Sequence, residues 1–191
     1  MSFVKSASLR NQFLIATPTL EDGIFKSSVT YICEHDEDGA MGIIINRPSD
    51  LIFSDLVKEF EAIESSELNT QPVMVGGPVG LERGFVLHQT PANTIEWLST
   101  LQISNDVALT GSKDILTALG EGKGPEKFLF VLGYAGWGAG QLEQELMEND
   151  WLTSPATPEI LFSTPYHLRA EAAAKLLGVD LSALATQPGN A

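Results

Sequence analysis

The sequence predicts an α+β protein: a mixed, partly antiparallel sheet with helices packed outside it, forming a single compact domain. Three observations point there. Strand-length apolar segments outnumber segments of helical periodicity. Neighbouring strands are joined by hairpin signals such as Asp38-Gly39, which argues against a regular strand–helix–strand array. The 191 residues are 43% hydrophobic, enough to bury one sizeable core. Residues 1–191 are expected to form one domain, ordered from about residue 9 to 180, with frayed ends.

Along the chain, Phe13 to Thr17 reads as a first strand, ended by Pro18. Ser28 to Glu34 follows, with Val29, Tyr31 and Cys33 on one face and Thr30, Ile32 and Glu34 on the other. Ala40 to Asn46 is a further apolar strand. Ser54 is placed to cap a helix carrying Leu56, Val57, Phe60 and Ile63, followed by a loop over Glu64–Thr70. Pro72–Val75, Gly84–His88 and Val107–Thr110 read as short strands, the first two divided by Gly76-Gly77-Pro78. Ser112 is expected to cap a helix through Ile115, Leu116 and Leu119 that stops at Gly120-Glu-Gly122.

Lys127 to Tyr134 is apolar on both faces, as a central strand covered on two sides should be. A glycine-rich turn over Ala135–Gly140 then leads to a helix with Leu142 and Leu146. Glu159 to Ser163 reads as one more strand. Thr164 and Pro165 are expected to open a last helix, with Leu168, Ala172 and Leu176 on its buried face and an end near Gly178.

Charge bounds the function. There are 25 Asp and Glu against 11 Lys and Arg, a formal net charge of −14. No Lys or Arg lies between Phe128 and Leu168. Nucleic-acid binding draws its affinity from neutralised phosphates, so direct DNA binding is disfavoured. The same reasoning weighs against an anionic membrane surface. A single cysteine, Cys33, permits no internal disulfide and no cysteine-rich zinc site. That usage, with no signal-like apolar start, predicts a cytoplasmic protein.

Few residues are arranged for chemistry. Cys33 and His35 sit two apart in a strand, which gives them one face but Cα atoms about 6.6–6.8 Å apart. The preferred reading is a buried, inert thiol beside a histidine at the strand end. His35, Asp36, Glu37 and Asp38 lack the ligand alternation of a calcium loop and read as a solvated hairpin tip. No metal and no cofactor is implied, there is no G-x-S-x-G elbow, and no catalytic residue stands out.

Two strand-to-helix turns with glycines merit weight as ligand sites, because free N–H groups at a helix start attract anions. Gly111-Ser-Lys113 lacks a P-loop pattern. Gly133 to Gln141 lacks the dinucleotide fingerprint, yet its aromatic and backbone groups suit a pocket lining. Asn46-Arg47-Pro48 closes a buried strand, where an arginine can grip a carboxylate or phosphate of a ligand; pairing with one of the abundant surface carboxylates is the favoured reading.

The same segments carry a resemblance. Phe13-Leu-Ile-Ala-Thr-Pro18, Ser28 to His35, and Gly39-Ala-Met-Gly-Ile-Ile-Ile-Asn-Arg-Pro48 resemble the YqgE/AlgH family of small bacterial proteins. So do Gly76-Gly-Pro-Val79, Arg83 to His88, Gly133 to Glu143 and Asn149-Asp-Trp-Leu152, in order over nearly the whole chain. The resemblance implies a branched mixed sheet. It brings a "transcriptional regulator" label used in part of the family, but no reaction, cofactor or catalytic residue.

The expectation is therefore a non-catalytic binding or regulatory protein of the cytosol, engaging a small ligand or a protein partner. Its surface would be built from Asn46, Arg47, Gly136, Trp137 and Gln141, at strand exits where side chains and free backbone groups can converge. The rivals are an enzyme of hydrolase or transferase type using Cys33 or a carboxylate, and the DNA regulator of the label.

Overall fold

The structure is a computed structural model, and it describes residues 7–21, 23–57, 70–90 and 96–186. Ten strands run in chain order: β1 Gln12–Ala16, β2 Val29–Asp36, β3 Gly39–Ile44, β4 Pro48–Ile52, β5 Pro72–Val75, β6 Val79–Gln89, β7 Thr100–Gln102, β8 Val107–Thr110, β9 Phe128–Gly138 and β10 Trp151–Pro155. Among the described residues five α-helices accompany them: α1 Phe53–Val57, α2 Asp114–Gly120, α3 Gln141–Met147, α4 Arg169–Lys175 and α5 Leu181–Thr186.

The main path of the sheet is β10-β1-β2-β3-β9-β6-β8-β7. It branches at β9. One edge of β9 pairs antiparallel with β6. The other is shared: β5 runs parallel to its first half, from Val73 against Phe130, and β3 runs antiparallel to its second half, from Gly42 against Ala135. Gly133 sits where the partner changes, with φ of +72° and a carbonyl of Gly77 that would lie 2.8 Å from any Cβ there. Only glycine fits such a left-handed, close approach.

Strand alternation divides the core. Phe13, Ile15, Val29, Tyr31, Cys33, Ile43 and Ile45 face one side, where Ile160, Leu161, Ala173 and Ala174 cover them. Leu14, Ala16, Ile32, Ala135, Trp137 and Trp151 face the other, under Leu142 of α3. Phe53, Val73, Val86, Ile115, Leu119 and Phe130 form a third cluster beneath α1 and α2.

Several elements differ from the sequence reading. The glycines of Ala135–Gly140 are not a turn: β9 continues to Gly138, and α3 begins only after Gly140 at φ +74°. Extended glycines suit this stretch because Gly39, opposite Gly138, approaches the Trp137 carbonyl too closely for a side chain. Glu159–Ser163 is a π-helical turn rather than a strand. Pro158 enters it in the right-handed helical region, and Thr164 turns its hydroxyl back to the Glu159 carbonyl instead of capping the next helix. Ser112 likewise caps no helix; its hydroxyl donates to Asp114. Ser54 lies within α1, and Phe60, Ile63 and nearly all of the 64–70 loop fall outside the described residues.

The last helix shows the largest change. A short 3-10 turn at Tyr166–Leu168 precedes it, so α4 begins at Arg169 and turns a different face inward. Arg169, Ala173 and Ala174 are buried, while Leu168 and Leu176 are 42% and 52% exposed. The short strands β4, β7 and β10 carry too few alternating residues to register in the sequence.

Candidate functional site

The sequence-selected residues fall into two groups. Gly136, Trp137 and Gln141 stand together at the junction of β9 and α3. Asn46 and Arg47 lie past the far end of β3, six residues beyond Ala40, the strand partner of Trp137. At β-strand rise that is about 20 Å along the chain.

The first group is organised by a residue that sequence reasoning missed, Glu145. Its Oε2 accepts the indole N–H of Trp137 at 2.9 Å and that of Trp151 at 2.8 Å. Its Oε1 accepts the side-chain amide of Gln141 at 3.0 Å, and the Gln141 carbonyl accepts the Gly138 N–H at 3.0 Å. Helical spacing explains the arrangement, because residues four apart stack on one face of α3. Phe25, from the β1–β2 connection, packs against both indoles at centroid distances of 6.1 and 5.7 Å.

The second group grips the same connection just after Phe25. Asn46 accepts the Val29 N–H at 2.9 Å and donates to the Ser27 carbonyl at 2.9 Å. Arg47 donates to the Lys26 carbonyl at 2.8 Å. The start of the connection is tied down as well. Thr17 donates its hydroxyl to the Asn149 carbonyl at 2.6 Å and its amide to the Asp150 carbonyl at 2.9 Å. The two groups thus meet at neighbouring residues, Phe25 and Lys26, of one stretch of chain whose start is held by Asn149 and Asp150.

That stretch walls a cleft of about 570 Å³. Ile15, Ala16 and Ser28 lie on the sheet side, Thr17, Pro18, Leu20, Glu21, Lys26 and Ser27 on the connection, and Ala170 and Leu181 on α4 and α5. The Ser28 side chain is 1% exposed, and its hydroxyl has no hydrogen-bond partner among the described residues. Arg169, beside Ala170, is 5% exposed and donates to the carbonyls of Ile45 and Thr164. Burial pulls its guanidinium down to about 10, still charged at neutral pH.

Cys33 and His35 are parted by a bulge. The β2–β3 register shifts between Ile32 and Glu34, so the strand carries an extra residue there and its alternation changes phase. Cys33 is fully buried on the α4 side, where desolvation pushes its thiol far up. His35 turns to the α3 side. Its Nδ1 accepts the Leu9 N–H at 2.8 Å, which leaves Nε2–H to donate to Glu143 at 2.6 Å. That hydrogen bond holds the Glu143 carboxyl below its usual range.

Among the described residues, no group of three or more His, Cys, Asp and Glu is placed to hold a metal ion. No described helix is long and apolar enough to cross a membrane.

A branched α+β sheet whose connection borders a mixed polar and apolar cleft defines the class of protein. The chain belongs to the AlgH-like family (DUF179), whose model matches residues 13–182. It is 50% identical to a UPF0301 protein of Nitrosococcus oceani over 183 residues, covering 95% of this chain and 96% of the relative. It is 49% identical to a UPF0301 protein of Chromobacterium violaceum over 189 residues, covering 98% and 100%. The solution structure of the AlgH protein from Pseudomonas aeruginosa matches with a TM-score of 0.79 at 45% identity over 100% of both chains. A Corynebacterium diphtheriae protein shares the fold, with a TM-score of 0.71 at 21% identity over 98% and 95% of the two chains.

Proposed function

We propose that this is a non-catalytic binding protein of the cytosol that takes a small ligand in the cleft beside the β1–β2 connection. The observation that supports it is a cleft lined by Ser28, whose buried hydroxyl has no partner among the described residues. An unmet buried hydroxyl costs about 1–3 kcal/mol, and a ligand group bonded to it would offset that cost. The cleft volume lies within the roughly 300–1,000 Å³ usual for small-molecule sites. Asn46, Arg47, Gly136, Trp137 and Gln141 serve this site by fixing its wall rather than by touching ligand. Any regulatory action then passes through ligand occupancy to a protein partner.

Enzymatic chemistry has less to build on. The thiol of Cys33 is buried and its protonated form favoured, so it makes a poor nucleophile. A direct DNA role fares no better with a net charge of −14.

Native mass spectrometry of protein captured from cell extract tests the proposal. A bound small-molecule mass is expected on the unaltered chain and absent from Ala170→Trp, which fills the cleft from α4. A bound mass retained at full occupancy by a folded Ala170→Trp variant would overturn the cleft assignment.

A further inference from the structure

We infer that the cleft is built for a small carboxylate with an aliphatic body. The inference rests on the binding reading above and adds the chemistry of the ligand.

Cations are scarce in this chain, 11 against 25 acidic residues, yet one of them lines this cleft and two more adjoin residues of its wall. Lys26 lies on its lining. Arg47 binds the Lys26 carbonyl from behind the same wall. Arg169 is buried next to the wall residue Ala170, and it donates to the carbonyl of Ile45, whose own amide bonds Val29, the neighbour of Ser28. Among the described residues none of the three forms an ion pair. Lys123 and Lys175, by contrast, both pair with carboxylates.

A buried guanidinium held only by carbonyl dipoles keeps its full charge, and low-dielectric surroundings carry that field further than water would. The cleft beside it is therefore a place where an anion is stabilised in an otherwise repulsive protein. Ser28 lines the cleft but its hydroxyl is buried; rotated toward the cleft it supplies a donor for one carboxylate oxygen, and the Lys26 ammonium can reach in from the exposed rim. A hydrogen bond to a charged acceptor is also the stronger kind, which suits a hydroxyl with no partner among the described residues.

The remaining lining sets the rest of the ligand. Ile15, Ala16, Pro18, Leu20, Ala170 and Leu181 offer apolar surface for an aliphatic chain. Glu21 is exposed on the same lining and opposes a second negative charge. One carboxylate fits this balance; a di- or polyanion does not.

The experiment is an amide-resolved NMR titration of the intact protein with 4-methylpentanoate, its neutral amide 4-methylpentanamide, and succinate. Saturable shifts are expected at Ala16, Thr17, Ser27 and Ser28 with 4-methylpentanoate. The amide is expected to bind at least about tenfold more weakly, since it lacks the charge that the cations favour. Lys26→Met, an exposed substitution that leaves the core intact, is expected to weaken the carboxylate about fivefold and the amide not at all. Ser28→Ala should weaken it further.

If the amide binds as tightly as the carboxylate at these residues, the anion inference is overturned and the cleft remains a ligand site of other chemistry. If succinate binds more tightly than 4-methylpentanoate, the single-charge, aliphatic assignment is overturned. If no compound moves the cleft amides, the inference is overturned too, and the bound-mass experiment decides the wider binding proposal separately.

Discussion

Trp137 and Trp151 donate their indole N–H groups to the same oxygen of Glu145, at 2.9 and 2.8 Å. One carboxylate thereby ties the end of β9 to the start of β10 and supports the ring of Phe25 between them. Glu145→Ala should cost about 2–4 kcal/mol, because two largely buried indole donors lose their acceptor together. Urea unfolding measures the loss. Glu145→Gln, which keeps an amide oxygen, should recover part of it.

A second prediction concerns pH. His88 is fully buried; its Nδ1–H donates to the Gln89 carbonyl at 3.1 Å and its Nε2 accepts the Thr110 hydroxyl at 2.8 Å. Burial lowers its tendency to take a proton. The unfolded chain therefore binds a proton more readily as pH falls below about 6.5, so folded stability from this group is present above that pH and declines beneath it. Denaturation midpoints at pH 7.5 and 5.5 should differ, and His88→Gln should narrow the difference. An unchanged difference in that variant would refute the assignment.

Cys33 provides a third. With its side chain fully buried and its thiol pushed up by desolvation, it should react slowly with iodoacetamide at neutral pH and quickly in urea. Prompt labelling of the folded protein would contradict the placement of Cys33 in the core and revive the enzyme rival.

At the branch of the sheet, Gly133→Ala forces a side chain into a left-handed backbone against the Gly77 carbonyl. The conformational penalty alone is about 1–2 kcal/mol, and the contact adds to it. Thermal unfolding should show a clear drop, larger than that for Gly122→Ala, which has a similar positive φ but open space around it.

The charge distribution yields a fifth expectation. The protein should pass through immobilised bulk DNA without retention even at low salt. Retention that weakens as salt rises would restore the direct regulator reading.

What the sequence revealed followed from length and periodicity. The strands at β1, β2, β3, β5 and β8 were legible because each carries several apolar residues between turn signals. Glycine misled at Ala135–Gly140: its abundance suggests a turn, whereas here the missing side chains let β3 and β9 approach. The Leu168–Ala172–Leu176 stripe has good helical spacing, yet Arg169 turns inward to two carbonyls and carries the helix round with it. A local pattern cannot anticipate a partner such as Ile45, supplied from just past the end of β3.

The site was half legible for the same reason. Trp137 and Gln141 stand out by type and neighbourhood. Glu145, one of two carboxylates on α3, is distinguished only by two indoles that arrive from different strands. Ser28 looks like an ordinary strand residue until its missing partner is seen. The Asn149-Asp-Trp segment belongs to the family resemblance, and its role as the tie for Thr17 depends on β10 lying beside β1.

That last pairing has a bearing on synthesis. β1 joins β10 from Gln12 against Pro155, so β1 leaves the ribosome well before the strand that completes its pairing. Until then β1 keeps a bare edge of amide and carbonyl groups, open to pairing with another nascent chain. The acidic surplus is useful at this stage, since neighbouring copies repel one another before their sheets are closed.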